Sequence, residues 1–388
     1  MKYSLIVPVY NRPDEVDELL ESLCSQTLKD FEVIIVEDGS KKPCKDVCDK
    51  YASILDLHYY YKENSGPGQS RNYGVERATG DYVIILDSDV VLPNTYLENV
   101  NSSVECRTES VEFATAQPSS AESTAVANST LYTLHSKVAA WGGPDATHPS
   151  FTPIQKAISY SMTSFFTTGG IRGGKKKLDK FYPRSFNMGI RRDVYQQLGG
   201  FTKMRFGEDI DFSYRIVEAG YQPQLFPDAW VWHKRRTDFR KFFRQVYNSG
   251  IARINLEKRH PGTLKLVHLL PTVFTLGVVG LLLLFGLGAS LYCYGEWLDA
   301  YELRPEDNMH QGVGMVFCIL GLLPLLFYSS IICIDSSIKN KSLWVGLLSI
   351  PAAFTQLMGY GLGFIESWWK RCILKQDEFT AFEKNFYK

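Results

Sequence analysis

The chain has 388 residues, and its 42 Lys and Arg residues balance its 42 Asp and Glu residues. This balance excludes a general attraction to nucleic acid, so any polyanion would have to be bound by a local patch. The length exceeds that of one ordinary domain and predicts two parts. Eight scattered Cys residues, with no second pair near Cys44 and Cys48, favour reduced thiols over a zinc site.

The N-terminal part alternates between apolar runs of strand length and helical patterns. A strand is predicted in YSLIVPVYN and a helix in RPDEVDELLESLCSQ, where apolar residues recur at helical spacing. Further strands are predicted in FEVIIVEDGS, at 57–61 and at 82–86, with a short helix in NSGPGQSRNYGVERA between the last two. This order predicts an α/β fold with a doubly wound, mostly parallel sheet.

Acidic residues follow two of these predicted strands. Asp38 follows the second strand, and Asp87 and Asp89 follow the fourth. In doubly wound sheets, ligands bind beyond the carboxyl ends of the strands. Two close carboxylates repel each other, and a bound Mg²⁺ or Mn²⁺ removes this repulsion while holding a diphosphate. A solvated loop that carries two acids is the alternative interpretation.

Four motifs carry a family resemblance. The segments SLIVPVYNRPDEVDELLESLCSQTLKDFEVIIVEDGS, GPGQSRNYGVERATGDYVIILDSDVVLP, FNMGIRRDVYQQLGGF and FGEDIDFSYRIVEAGY resemble, in this order, those of the family 2 glycosyltransferases. The resemblance covers about residues 2–233. It implies a GT-A fold, a nucleotide-diphosphate sugar donor, a divalent metal (Mg²⁺ or Mn²⁺) and inversion at the anomeric carbon.

The same resemblance implies a nucleotide pocket. Pro8, Tyr10 and Asn11 would line it, and Asp38 would accept a hydrogen bond from the base or the ribose. Arg71 stands where the family often places a basic residue near the nucleotide. A solvated Arg on a helix face is the alternative for that position.

A metal and diphosphate site is implied next to this pocket. Asp87 and Asp89 would lie at the ribose, the metal and the diphosphate, with Asp89 the preferred metal ligand. His233 in VWHKRR is a further candidate for the metal or the diphosphate. Its alternative role is that of a His at the border of a membrane.

The FGEDIDFSYRI motif is the candidate for the chemistry. Inversion requires the acceptor hydroxyl to lose a proton as it attacks, and a carboxylate within hydrogen-bond reach can take that proton. Asp209 is the predicted base, and Glu208 is predicted to orient the acceptor or support the loop. Asp211 lies near the start of the following helix, where an acid is favourable on dipole grounds alone, and is predicted to be structural.

The resemblance weakens between residues 104 and 180. This stretch is poor in charge and rich in Ser, Thr and Gly. Arg172 and Lys175–Lys177 could meet a lipid phosphate, although a solvated loop is the simpler interpretation. Asp145 is a candidate acid of the acceptor site.

The C-terminal part has the composition of a membrane region. Three runs without charge, at 269–294, 311–334 and 342–365, each exceed the roughly 20 residues that a helix needs to cross hydrocarbon. The resulting division is a catalytic domain, an amphipathic connector, a membrane region and a short tail. Their bounds are 1–232, 233–262, 263–370 and 371–388.

Charges around these runs give conflicting orientations. The loop after the first run is acidic, and Lys339 and Lys341 follow the second, so the N-terminal part is predicted to be cytoplasmic. Three crossings would then place the tail outside, yet Lys370 and Arg371 directly after the third run favour the inside. The third run contains Pro and Gly and ends in two Trp residues, so bending, re-entry or an interfacial position remain open.

The spacing of apolar and basic residues in the connector predicts an amphipathic helix on the cytoplasmic face of the membrane. It lacks the Gln-x-x-Arg-Trp signature associated with processive synthases. The sequence thus predicts an inverting glycosyltransferase of the cytoplasmic (inner) membrane that acts on a polyprenyl-linked saccharide in cell-surface polysaccharide assembly. Alternatives are transfer to polyprenyl phosphate, a processive synthase, or a membrane scaffold or export component with a degenerate nucleotide-binding domain.

Overall fold

The computed structural model describes residues 2–115, 138–148, 150–169, 181–300 and 309–382. These residues form two compact units, one from the described parts of Met1–Ser150 and Gly174–Lys234, the other from those of Phe151–Gly173 and Arg235–Glu383. The second unit therefore takes in Phe151–Gly173, which the sequence division assigns to the catalytic domain. The reason is an apolar helix in this segment, whose Ala157 packs among apolar residues of the second unit.

The first unit is built on a seven-stranded mixed sheet with the order β3-β2-β1-β4-β8-β6-β9. The first four of these strands in space are parallel, β8 is antiparallel to β4, and β6 is antiparallel to β8. A small second sheet has the order β5-β10-β7. The strands are β1 (Tyr3–Val9), β2 (Phe31–Asp38), β3 (Leu57–Lys62), β4 (Tyr82–Leu86), β5 (Val90–Val91), β6 (Ala140–Gly142), β7 (Asp145–Ala146), β8 (Asn187–Arg191), β9 (Gln224–Leu225) and β10 (Val231–His233).

The predicted α/β fold with a mostly parallel central sheet is confirmed. β1, β2 and β4 are apolar runs with helices packed on them, so nearly all of their side chains are buried. The antiparallel β8 extends the sheet beyond β4 through residues of the FNMGIRRDV motif. The helices of this unit are α1 (Pro13–Cys24), α2 (Lys45–Tyr51), α3 (Pro67–Val75), α4 (Tyr96–Thr115), α7 (Arg192–Gln197) and α8 (Glu208–Glu218).

Local sequence explains where the helices next to the site begin. α1 starts at Pro13, with Asp14 and Glu15 in its first turn, where the helix dipole favours acids. Gly66 precedes α3 with φ 91°, and Gly207 precedes α8 with φ 83°. These backbone angles are ones that glycine adopts without a steric cost.

The second unit is helical. Its helices are α5 (Pro153–Thr163), α6 (Phe165–Thr168), α9 (Phe239–Arg259), α10 (Leu270–Ala300), α11 (Met309–Asn340) and α12 (Leu343–Trp368). Three stretches are long and apolar enough to cross a membrane, namely Leu266–Leu298, Met309–Asn340 and Leu343–Ile373. The three predicted hydrophobic segments are thereby confirmed. Their packing differs. In each of the first two stretches, 11% of the most apolar part is buried, whereas 44% is buried in the third.

Candidate active site

The carboxyl ends of the parallel strands bring the predicted acids to one edge of the sheet. In the register of β1 and β2, Val9 pairs with Glu37, so Asp38 stands just beyond the end of β1. β4 lies on the other side of β1 and ends at Leu86, directly before Asp87. Asp38 and Asp89 are both buried. The edge that the sequence indicates as a ligand site therefore carries these acids in the fold.

His233 joins Asp87 and Asp89 through the small sheet. β10 pairs antiparallel to β5 with His233 opposite Val90, which places the imidazole next to the Asp-x-Asp turn. The potential ligand atoms of these three side chains all lie within 4.8 Å of one another. His233 Nε2 is 3.2 Å from Asp89 Oδ1, and Phe186 stacks on the imidazole with ring centroids 4.9 Å apart.

This donor set fits a divalent cation. Mg²⁺ and Mn²⁺ are bound by carboxylate oxygens, and imidazole is a common additional ligand of transition metals. Glu32, Asp56 and His58 form a second group of potential ligands, at the amino ends of β2 and β3. The Asp and the His of that group are exposed, and Glu32 accepts hydrogen bonds from Ser4 and Thr79. The two groups therefore lie at opposite edges of the sheet.

Arg12 is a site residue that sequence reasoning missed. Its Nη1 donates to Asp89 Oδ2 at 2.6 Å, so Asp89 lies between a guanidinium and an imidazole. Arg12 directly follows the predicted nucleotide-pocket residues Tyr10 and Asn11. The signal that could have indicated it is a positively charged side chain in the loop that follows β1.

Arg71 is buried and connects the two acidic motifs. Its Nη2 donates to Asp87 Oδ1 at 2.8 Å, and its Nη1 donates to Glu208 Oε1 at 2.9 Å. The guanidinium also lies over the Phe201 ring, 5.2 Å from its centroid. With 3% of its side chain exposed, Arg71 is not a solvated residue on a helix face. The Asp-x-Asp turn and the start of α8 are thus joined by one buried cation.

Glu208 and Asp209 have different electrostatic surroundings. Burial raises the pKa of Glu208 to about 7, although the neighbouring Arg71 opposes the rise. Burial would also raise the pKa of Asp209, but an ion pair with Arg184 outweighs it and holds that pKa below its ordinary value. In this pair, Arg184 Nε donates to Asp209 Oδ2 at 2.6 Å. Adjacent carboxyls with opposite shifts are typical of sites where a proton moves.

The two arginines differ in how easily they could leave their partners. Arg184 has 37% of its side chain exposed, whereas Arg71 has 3%. Arg184 bonds Asp209 through Nε, and within the described residues its two Nη groups make no hydrogen bond. Arg184 can therefore exchange Asp209 for another anion far more readily than Arg71 can exchange Glu208. It is the second site residue that sequence reasoning missed.

The predicted nucleotide-pocket residues lie at the same strand ends. Pro8 is near the end of β1, and Tyr10 and Asn11 follow it, all of them half-buried. Asn11 Oδ1 accepts from the backbone N–H groups of Lys41 and Lys42, which orders the loop after β2.

Asp38 orders a second loop. Its carboxylate accepts from the Lys62 ammonium and from the N–H groups of Ser65 and Gly66. A carboxylate offers about four acceptor positions, so these three bonds leave one for a ligand. Asp38 thus shapes the start of α3, and one acceptor position of its carboxylate remains unused by these bonds.

Three remaining candidates have separate positions. Asp211 accepts from Thr202 and from Arg215, a turn later on α8, in keeping with its predicted structural role. Asp145 begins β7. Burial alone would lower the pKa of Arg184, but Asp209, Glu208 and, to a smaller extent, Asp145 raise it. Arg172 and Lys175–Lys177 lie outside the described residues.

Comparison with known families agrees with this architecture. The description of the matching family is Glycosyl transferase family 2, and the match spans residues 4–199, half of the chain. The chain belongs to this family. Its catalytic unit has a GT-A-type fold and its C-terminal region carries three apolar helices.

Individual relatives match only part of their length. An 88-residue segment is 40% identical to an uncharacterized glycosyltransferase of Rickettsia felis, covering 23% of this chain and 15% of that protein. A 93-residue segment is 39% identical to the poly(ribitol-phosphate) beta-N-acetylglucosaminyltransferase TarS of Staphylococcus aureus, covering 23% and 16%. The chain thus spans less than a fifth of these two relatives.

A solved structure is similar over a larger share. The mannosyltransferase PcManGT from Pyrobaculum calidifontis, in complex with GDP-Man and Mn²⁺, aligns with a TM-score of 0.51 at 17% identity. The alignment covers 83% of this chain and 86% of that one. At this identity the similarity establishes the fold.

Proposed function

We propose that this chain is an inverting glycosyltransferase that moves a sugar from a nucleotide-diphosphate donor to a membrane-associated, polyprenyl-linked saccharide. The observation that carries the proposal is the bridge formed by Arg71, which ties Asp87 of the donor side to Glu208, next to the candidate base Asp209. Donor-binding and proton-accepting groups are thereby held at one edge of one sheet.

On the donor side, the nucleotide contacts fall to Pro8, Tyr10, Asn11 and the remaining acceptor position of Asp38. Asp87, Asp89 and His233 would hold the divalent cation. When bound there, such a cation stabilises the negative charge of a departing diphosphate. Arg12 and Arg71 supply fixed positive charge at the same two carboxylates.

On the acceptor side, Asp209 takes the proton of the attacking hydroxyl. While Arg184 pairs with it, Asp209 is a weak base, because the cation stabilises its ionised form. Displacement of the half-exposed Arg184 by an incoming acceptor removes that stabilisation, and burial then makes Asp209 a stronger base. Glu208 stays locked to Arg71 and positions the start of α8.

The C-terminal unit supports the proposal of a membrane-associated acceptor. Three apolar helices would anchor the chain as a multi-pass protein of the cytoplasmic membrane, with the catalytic unit on the cytoplasmic side. The name of the relative TarS states that it is a poly(ribitol-phosphate) beta-N-acetylglucosaminyltransferase. Together these features support a role in cell-surface glycan assembly.

Transfer to polyprenyl phosphate is the second candidate, favoured by the Nη groups of Arg184, which make no hydrogen bond to the residues that the structure describes. A phosphate oxygen is already ionised, so this reaction needs no base. Loss of Asp209 would then have little effect on the rate. A processive synthase and a non-enzymatic scaffold have no comparable observation in their favour.

The test is turnover and binding by detergent-purified protein across a panel of nucleotide sugars, with Mn²⁺ or Mg²⁺ and with EDTA. Asp89→Asn should reduce metal-dependent turnover of the preferred donor by about 10²–10³-fold, since several kcal/mol of charge stabilisation are lost. Asp56→Asn removes a carboxylate from the other potential ligand group and should change nothing. Equal effects of both variants, or no binding of any donor, would refute the proposal.

Arg184→Gln tests the link between Arg184 and the base. In the native protein Arg184 lowers the pKa of Asp209, so removing it should raise that pKa. Activity that needs ionised Asp209 is lost as pH falls through its pKa. The acidic limb of the kcat/KM profile should therefore move to higher pH.

The matched control is Arg77→Gln, which removes a partly exposed arginine that lies over Tyr73, outside the site. Its pH profile should equal that of the native protein. An acidic limb that stays in place in Arg184→Gln would show that Asp209 is not the titrating base.

A further inference from the structure

The first two apolar helices form a long hairpin. α10 and α11 approach closely at Gly288, where an added Cβ would come 2.7 Å from the Gly314 carbonyl oxygen, and again at Gly321 beside Phe285. The hairpin is still in contact at Gly295, which faces Gln311. Small residues that let helix backbones approach are typical of helix pairs in membranes.

The length of this hairpin matches a bilayer. From Thr275 to Gly295, α10 advances 20 residues, which is about 30 Å at 1.5 Å per residue. The hydrocarbon core of a membrane is about 30 Å thick. The hairpin is therefore long enough to cross by itself.

The third apolar helix, α12, meets the hairpin near its open end. Ser349 bonds Ser336 of α11 at 2.6 Å, four residues before α11 ends. Phe354 contacts Phe274, and Gly361 packs on Thr275 and on the Pro271 backbone. Seven residues along α12, about 10 Å, thus meet only about one turn of α10. α12 crosses over the first turns of α10 and does not run beside it.

A charged helix lies along α12 in the same direction. In α9, Val246 packs on Gly359, the Tyr247 backbone packs on Gly363, and the Ile251 carbonyl accepts from Ser367. α9 carries seven charged residues, so it is a poor candidate to cross hydrocarbon. They are Arg240, Lys241, Arg244, Arg253, Glu257, Lys258 and Arg259. Because α9 and α12 are packed side by side, we expect α12 to lie at the same depth relative to the membrane as α9.

The C-terminal tail returns to α9. Glu378 pairs with Arg259 at 2.8 Å. Further along, Ala381 exchanges two hydrogen bonds with the Asn248 side chain, at 3.1 and 2.9 Å. The tail therefore runs back along α9 towards its first turns.

A fourth element also lies against α12. Ala157 of α5 packs among Val345 and Ala352 of α12. In the chain, α5 belongs to a segment that leaves the first unit and returns to it. If α12 crossed the membrane, α5, which is packed on it, would have to enter the hydrocarbon as well.

We propose that the chain crosses the membrane twice, through α10 and α11, and that α12 lies in the interface of one leaflet with α9 and α5. α12 would then contact the boundary between the lipid headgroups and the acyl chains, where tryptophans are favoured. Trp368 and Trp369 are 45% and 53% exposed at the end of α12. This arrangement puts Lys370 and Arg371 on the same side as Lys339 and Lys341, which removes the conflict between the charge signals.

Labelling of single cysteines with a membrane-impermeant maleimide tests this topology, in right-side-out and inside-out vesicles. All eight native cysteines, of which Cys106, Cys293 and Cys372 are exposed, are first replaced by Ser. Glu76→Cys then reports the side of the first unit, Met309→Cys reports the far end of the hairpin, and Asp377→Cys reports the tail. All three positions are exposed.

Asp377→Cys should label in the same vesicles as Glu76→Cys and be protected in those that label Met309→Cys. Labelling of Asp377→Cys together with Met309→Cys would overturn the proposal, because α12 would then cross. Labelling of all three on one side would also overturn it, because the hairpin would then not cross. A tail cysteine that labels only after detergent is added would place the tail in hydrocarbon and count equally against it.

Discussion

Asp209→Asn is expected to lower the rate of sugar transfer to a hydroxyl acceptor by about 10²–10⁴-fold, the usual contribution of a general base. The amide keeps the shape of the carboxylate but cannot take a proton. Donor binding should be unchanged, because the contacts proposed for the donor come from other side chains. The measurement is kcat for transfer, together with the dissociation constant of the donor in the same preparation.

Two further variants make the assignment decisive. Asp193→Asn alters an acid whose side chain is 58% exposed and paired with Arg191, and it should leave transfer unchanged. Glu208→Gln should change stability and positioning more than the pH profile, since Glu208 is held by Arg71. If Asp209→Asn retained nearly full activity while Glu208→Gln abolished the acidic limb, Glu208 would be the base. Full activity of both would favour an acceptor that is already ionised, such as polyprenyl phosphate.

Arg71→Met is expected to destabilise the first unit by about 3–5 kcal/mol, the usual cost of removing one partner from a buried ion pair. Glu208 would be left buried without its cation, and Asp87 would lose its link to α8. For a unit of this size, the midpoint of thermal unfolding should fall by about 6–20 °C. The midpoint can be followed by near-UV circular dichroism of the detergent-solubilised protein.

The double variant Arg71→Met/Glu208→Gln separates a stranded charge from lost packing. If the stranded carboxylate causes the loss, adding Glu208→Gln should recover part of the stability. Arg77→Met serves as the control, because Arg77 lies over Tyr73 at the surface and should cost much less. An unchanged midpoint in Arg71→Met would contradict the central role given to this bridge.

The sequence by itself determined the main elements of the fold. Apolar runs of strand length separated by helical patterns indicated β1, β2 and β4, because burial on both faces of a parallel sheet requires such runs. The acids after β2 and β4 indicated the ligand edge, because parallel strands all end there. The three apolar runs indicated helices long enough to cross a membrane, since length and composition alone set that capacity. All of these signals are local in the chain.

Only the tertiary structure decided which side chains face each other. Arg71 and Glu208 are 137 residues apart in sequence, and Arg12 and Asp89 are 77 apart. No local pattern distinguishes a buried bridging arginine from a solvated one on a helix. The same holds for α12, whose composition permits a crossing while its packing against the charged α9 argues against one. Long-range pairing depends on the path of the whole chain, which propensity and periodicity do not contain.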